Sequence, residues 1–459
     1  MRRSLPLFAI LVLAGCAGPK AELPTESAVT PPAGWRSGVA NSGQVTADWW
    51  QNFGDPTLSA IVETALAHNT DIAIAATRVA AARAEYRLAR AEGLPSIGGT
   101  LAGGRDEDVN PGFGVQETQT AGAGEIAISY DVDLFGRLAA TTASAQATLL
   151  ATEAARDNVR LAIVAAAASG YMTLRGLDAQ LLILRDTLEA RGNELNVAKR
   201  RAEAGYEAQL DLAQAEAAYH GTEQEIPAME LAIARQEDGL SLLLGSNPRD
   251  IERGDELDKL VAPVVPLSLP ASLLRQRPDI AEAERQLAAT DHALDAARAA
   301  YMPDIRLSAT GGFVGSNLVE GSPLQVWSLG GSILAPIFSA GRLEAGQDAA
   351  VARRDEAAFN YQKVALTAFE EVENALQAVS RDEEQEQALT AQRDSLTRAL
   401  QLATNRYREG YSPYLDQLDA QRGLLTAQLA LARARVDHLN ALVTLYQCLG
   451  GGWQSGGEN

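Results

Sequence analysis

The chain has 459 residues, 46% of them hydrophobic but only 5% aromatic, a balance that suits long helices packed through small side chains better than aromatic-cored globules. Its formal charge of −20 excludes a nucleic-acid footprint, since a polyanion would be repelled. Two cysteines exclude a disulfide framework, and four scattered histidines, His68, His220, His292 and His438, without ligand spacing, nucleophile motif or phosphate loop, argue against an enzyme, a cofactor or a metal centre.

Arg2 and Arg3 precede an apolar run over residues 5–14, too short to span a bilayer but suited to the core of a secretory signal. The run ends in Leu13-Ala14-Gly15-Cys16, which resembles a bacterial lipobox. Residues 1–15 are therefore expected to be a signal peptide, with Cys16 the lipid-carrying first residue of the mature chain. Residues 16–57, with Pro19, Pro24, Pro31 and Pro32, read as a tether that ends in the aromatic cluster Trp49-Trp50-Gln51-Asn52-Phe53, expected to pack on a folded body. A helical period begins at Leu58 and stops at Gly93 and Pro95.

The period then changes to two. Ile126, Ile128, Tyr130, Val132 and Leu134 alternate with Ser129, Asp131 and Asp133, which predicts a strand with one apolar face. A weaker strand over 97–101 precedes it, joined by a polar loop carrying Arg105, Asp106, Glu107, Asp108, Asn110 and Gly112. After Gly136 and Arg137 no proline occurs before Pro227, and a helix over 137–201 would reach about 95 Å at 1.5 Å per residue. It turns at Gly205 and returns to Gly245, with a kink expected at Pro227.

Residues 246–270, broken by Pro248, Pro263, Pro266 and Pro270, read as a connection between two copies of one plan. Pro278-Asp279-Ile280 answers Thr70-Asp71-Ile72, Pro303-Asp304-Ile305 answers Pro95-Ser96-Ile97, Gly341 answers Gly136, and Gly450 answers Gly245, all about 205 residues apart. The copies span 58–245 and 271–450, followed by a tail over 451–459. In the second copy Ile305, Leu307, Ala309, Gly311 and Phe313 alternate with Arg306, Ser308 and Thr310, and Trp327, Leu329, Gly331 and Ile333 alternate with Ser328, Gly330 and Ser332. Trp327 lies near a strand end, where a membrane-interface aromatic is expected. After Cys16 there is no apolar run of the roughly eighteen residues a membrane helix needs, so any crossing falls to strands.

The bend over 406–422 is the most structured turn signal in the chain. Gly410 is expected to end one helix in a left-handed conformation, Ser412 to cap the next and Pro413 to fill its first turn. Asp416 and Asp419 then share one helix face at i, i+3. Arg201-Ala202-Glu203-Ala204-Gly205-Tyr206 forms the corresponding bend of the first copy.

The Cys16 motif, the cluster from Trp49 to Pro56, Leu273-Leu274-Arg275-Gln276-Arg277-Pro278-Asp279-Ile280 and the 406–422 bend together resemble the TolC-like outer-membrane efflux proteins, in the lipoprotein branch paired with resistance-nodulation-division pumps. The resemblance covers essentially the whole chain. It implies a mixed, mainly α fold: a trimeric α/β barrel in which four membrane β-strands per chain close a shared twelve-stranded barrel, and long periplasmic helices form a tunnel. It implies an outer-membrane exit duct that is no enzyme and needs no cofactor. Its partners would be two further copies, a periplasmic adaptor, an inner-membrane pump and outer-membrane lipid. The family's periplasmic gate maps onto Asp416, Asp419, Leu415, Tyr407 and Arg406. Its adaptor-contacting bends map onto Arg201, Gly205, Tyr206, Arg408, Gly410 and Tyr411. A protein-secretion duct and a non-channel helical lipoprotein are the alternatives, and the alternating strands in both copies argue against the second.

Overall fold

The computed structural model describes residues 20–36, 45–110, 115–204, 209–266, 269–318, 320–321 and 323–454. Cys16, Gly205 and Tyr206 lie outside the described residues. The chain forms two compact units, one of Met1–Ala28, Arg78–Glu153 and Glu282–Lys363, the other of Val29–Thr77, Ala154–Ala281 and Val364–Asn459.

The first unit contains a four-stranded antiparallel sheet, β1 (Ser96–Asn110), β2 (Val115–Val132), β3 (Asp304–Ser316) and β4 (Leu324–Leu334), in the order β1-β2-β3-β4. Each copy of the repeat supplies one hairpin, and β2 paired with β3 joins them. Because side chains alternate across a sheet, the register fixes its two faces. Ile97 lies opposite Ile128, Ile128 opposite Ala309, and Ala309 opposite Leu329, with Ile305 opposite Val132 and Ile333 in a parallel row. Ile97, Leu329 and Trp327 are 72%, 79% and 79% exposed, so this apolar face has no cover among the described residues. The opposite face carries Ser129 against Ser308, and Asp131 held by Arg306 at 2.6 and 3.1 Å.

The strands are longer than the sequence pattern suggests. Residues 102–110, expected as a loop, continue β1 and pair with 115–123. Polar side chains on both faces there mark departure from the apolar band; they do not end the ladder, since backbone pairing is indifferent to side-chain polarity in water. The apolar band of β2, residues 124–132, measures roughly 30 Å along the strand, or about 23 Å in height at a tilt near 40°, matching the apolar band of a membrane barrel. Inside that band the Phe313 ring covers Gly124, its cross-strand partner, so closely that a Cβ there would lie 2.7 Å from the ring.

The helices are α1 (Pro56–His68), α2 (Thr70–Glu92), α3 (Arg137–Glu203), α4 (Gln209–Glu223), α5 (Glu225–Leu243), α6 (Pro270–Gln276), α7 (Pro278–Ala299), α8 (Arg342–Arg408) and α9 (Tyr414–Cys448). None among the described residues is long and apolar enough to cross a membrane. The kink expected at Pro227 is a break at Gln224 between α4 and α5, because Pro227 has no N–H to give the carbonyl four residues back at Glu223. In the first unit, the 20–28 segment lies along α7 and α8. Lys20 bonds Asp291 and Asp295 at 2.8 and 2.9 Å, and Arg354 donates to the Ala21 and Glu22 carbonyls.

In the second unit Trp49, 1% exposed, stacks on Tyr446 with ring centroids 4.9 Å apart, and Phe53 is fully buried, as expected of the aromatic cluster. Asp55 caps α1 through the Thr57 and Leu58 amides and accepts from the Tyr171 hydroxyl at 2.6 Å. Burial, reinforced by that hydrogen bond, pushes the Tyr171 phenol well above its usual range, so it stays a donor.

The repeat reappears in this unit as two matched joints. Asn69, just after α1, donates to the Leu243 carbonyl at 3.0 Å; Arg277, just after α6, donates to the Cys448 carbonyl at 3.1 Å. Beside each joint a glycine touches the helix end: a Cβ on Gly245 would lie 2.2 Å from the His68 carbonyl oxygen, and one on Gly450 1.9 Å from that of Gln276. Arg277 also engages Asp279 at 2.6 Å and Glu371 at 2.7 Å.

Candidate functional site

The 406–422 bend is built from backbone upward. Gly410 has φ +79, its N–H bonds the Tyr407 carbonyl at 3.0 Å, and the Tyr411 N–H reaches back to Arg406 at 2.8 Å, which closes α8 with the paired bonds of a Schellman motif. The glycine expectation is met, but the capping expectation is not. Pro413 holds the N-cap position of α9, and Ser412 lies one residue too early to reach the first free amides. Its hydroxyl is buried with no partner among the described residues, and the Asp416 amide instead bonds the Pro413 carbonyl at 3.2 Å.

The first turns of α9 separate into two faces. Tyr414, Gln417 and Leu418 are buried, while Leu415, Asp416 and Asp419 are exposed. The buried face joins Leu195 and Ala198 of α3 and Ala215 and Ala218 of α4 in one cluster, with Leu212, Tyr219 and Tyr407 packed against it. Apolar packing therefore fixes the rotation of α9 and turns both carboxylates to solvent. Asp419 stands 3.8 Å from Arg422, both mostly exposed, and no basic side chain among the described residues pairs with Asp416. Carboxylates in an opening turn also meet the positive end of the helix dipole.

Residues from the two bends meet. The Arg201 guanidinium lies 5.6 Å from the centroid of the Tyr407 ring and donates to its hydroxyl at 3.3 Å, while Tyr407 contacts Tyr414 at 5.4 Å. Arg406, Arg408 and Tyr411 are exposed and take no part in this contact.

Four further residues shape the site without a motif to announce them. Gln417 and Gln421 both donate to one Glu194 carboxylate oxygen, at 2.7 and 2.5 Å, which ties α9 to α3. Arg191 donates to the Ala218 carbonyl at 2.8 Å and to the Thr222 hydroxyl. Burial, and then the nearby Arg422 charge, pull its guanidinium below its usual value. The i, i+4 spacing of Gln417 and Gln421, in step with Tyr414 and Leu418, was the available signal: polar residues on an apolar face need a buried partner. Among the described residues no group of His, Cys, Asp and Glu is arranged to hold a metal ion.

The pattern of the family described as "Outer membrane efflux protein" matches residues 61–246 and 269–451, the same two copies that the joints reveal. The antibiotic efflux pump outer membrane protein ArpC of Pseudomonas putida is 36% identical, with 100% of this chain and 98% of that protein covered. Among solved structures, the CmeC outer membrane channel of Campylobacter jejuni superposes with a TM-score of 0.89 over 96% of each chain, at 23% identity. The outer-membrane channel OprN superposes at 0.84, with 29% identity, over 96% of this chain and 100% of that one. With its repeat, its sheet and its helical bend all accounted for by one pattern, this chain belongs to the outer membrane efflux protein family.

Proposed function

We propose that the chain is the exit duct of a tripartite efflux system, a homotrimer in the outer membrane that passively conducts small molecules delivered by an inner-membrane resistance-nodulation-division pump through a periplasmic adaptor. One observation carries the reading: a sheet with one apolar face and one polar face whose outer edges, on β1 and β4, are both unpaired among the described residues. An open edge is not tolerated in lipid, so strands of other copies must complete the ring. Three chains supply twelve strands, the apolar face turns to lipid, and the Ser129, Ser308 and Asp131–Arg306 face turns to a wet lumen. The duct supplies no energy.

At the periplasmic end, three copies of α9 would bring six carboxylates, Asp416 and Asp419 of each, around the axis, with Leu415 beside them and Arg406 and Tyr407 behind. Like charges so placed repel unless water or cations intervene, which makes the ring a cation-sensitive gate. The flanks Arg201, Gly205, Tyr206, Arg408, Gly410 and Tyr411 would meet the adaptor, and Cys16 would carry the lipid.

Single-channel recording tests the gate. Magnesium added on the periplasmic side should block the wild-type trimer, and the Asp416→Asn, Asp419→Asn variant should need at least about tenfold more for the same block. An unchanged block sinks the carboxylate ring, and absence of conductance from heat-modifiable trimers sinks the duct. Cysteines at Arg201 or Tyr411 should capture the adaptor; capture only from the β1–β2 hairpin would reverse the orientation.

A further inference from the structure

We propose that residues 20–28 form a fixed strap, with Arg354 as its receptor, that sets where the lipid on Cys16 enters the membrane; this rests on the lipid-anchor reading above. The strap is held at three levels of the first unit. Lys20 sits between Asp291 and Asp295 of α7 at 2.8 and 2.9 Å. Arg354 of α8, only 1% exposed, gives one N–H to the Ala21 carbonyl at 2.5 Å and one to Glu22 at 2.9 Å, and its charge is balanced by Asp355 at 2.6 Å. Further along α8, Gln362 donates to the Glu26 carbonyl at 2.6 Å, where the 3₁₀ turn Thr25–Ser27 buries Ser27.

The chemistry of these contacts suits a strap better than a sequence-specific clasp. Arg354 and Gln362 read main-chain carbonyls, which any residue offers, and only Lys20 is read by its side chain. Asp355 already holds the Arg354 guanidinium at 3.0 and 2.6 Å, so the two charge-assisted bonds to the strap form on a side chain that is fixed beforehand.

Distance gives the strap its consequence. Lys20 is four residues on from Cys16, a reach of about 14 Å at most. On the other side of the clamp, α7 continues from Asp295 only to Ala299, roughly 6 Å of helix, before the chain enters β3 at Asp304. The apolar band of β3 opens at Ile305. The lipid is thus confined to the height at which the strands meet the bilayer.

Trypsin reports docking, because the Lys20–Ala21 bond is its cleavage site and cutting there frees the acylated peptide. Solubilised full-length protein labelled with palmitate should keep its label at least about tenfold longer than the Asp291→Asn, Asp295→Asn variant or Arg354→Gln, with the trimer intact in each. Equal release rates overturn the strap. Ten Gly-Ser residues inserted between Pro19 and Lys20 add slack without touching the clamp. They should lower the trimer recovered from outer membranes by about threefold, and the drop should vanish when Cys16→Ser is combined with the insertion. Unchanged recovery, or a drop that persists without the lipid, overturns the positioning role. Wild-type protein that takes up no palmitate overturns the lipid anchor itself, and the mass of the tryptic fragment still decides whether the strap is docked.

Discussion

Gly410 and Gly450 end the two long helices of the second copy with almost the same backbone, φ +79 and +87, in opposite surroundings. A Cβ on Gly450 would collide with the Gln276 carbonyl; one on Gly410 would meet nothing within 4 Å among the described residues. One local code thus serves a sealed joint and an open tip. At the joint, each helix end is answered by a donor from elsewhere in the fold, Asn69 in the first copy and Arg277 in the second. At the tip the exposed groups, Leu415, Asp416, Tyr411 and Arg408, have little of the chain to answer them. The joint is closed by groups of the chain itself, and the tip turns its side chains to solvent.

The sharpest way to break this contrast is alanine at each glycine. Gly450→Ala should cost about 3 kcal/mol or more, combining left-handed strain with a backbone clash, whereas Gly410→Ala should cost about 1 kcal/mol, from strain alone. Denaturant titration of the solubilised protein reads both, and equal costs would mean that the tip is as constrained as the joint. Next in size, Arg277→Ala should cost about 3 kcal/mol, because it strips a donor from the Cys448 carbonyl and leaves Asp279 unpaired, while Arg201→Ala at the tip should cost at most about 1 kcal/mol.

Cys448 is a built-in reporter on the joint. Burial pushes its thiol up to about 11 from a usual value of 9.0, so iodoacetamide at pH 8 should leave it unmodified in the folded protein and label it once denaturant opens the joint. For this acidic group the raised value means that its contribution to stability is whole below pH 9 and falls as pH climbs towards 11. Melting temperature across that window should decline in the wild type and decline less in Cys448→Ala. The smallest effect belongs to the tip: Asp416→Asn and Asp419→Asn should each change stability by less than about 0.5 kcal/mol, the scale of an exposed charge in a helix's first turns.

The period-two strands, the two copies, the left-handed glycines and the aromatic cluster were legible because each is written in local spacing. Residues 102–110 were misread because their strand continues beyond lipid, where polarity no longer alternates. Ser412 looked like a cap because composition does not show that Pro413 displaces it. Glu194 with Gln417 and Gln421, Arg277 with Cys448, and Arg354 with the strap are partnerships between distant stretches, and no spacing rule encodes which carbonyl or carboxylate an arginine or glutamine will meet.

The pairing of β2 with β3 carries a consequence for the order of folding. The β1–β2 and β3–β4 hairpins close over short stretches, but β2 and β3 are separated in the chain by five helices, from α3 to α7. Closing so long a loop costs entropy before any contact repays it. Each hairpin is therefore expected to form early and alone, and the seam between them late, once helix packing has brought their ends together. Until that seam closes, the chain presents two apolar hairpins to the periplasm with four free edges.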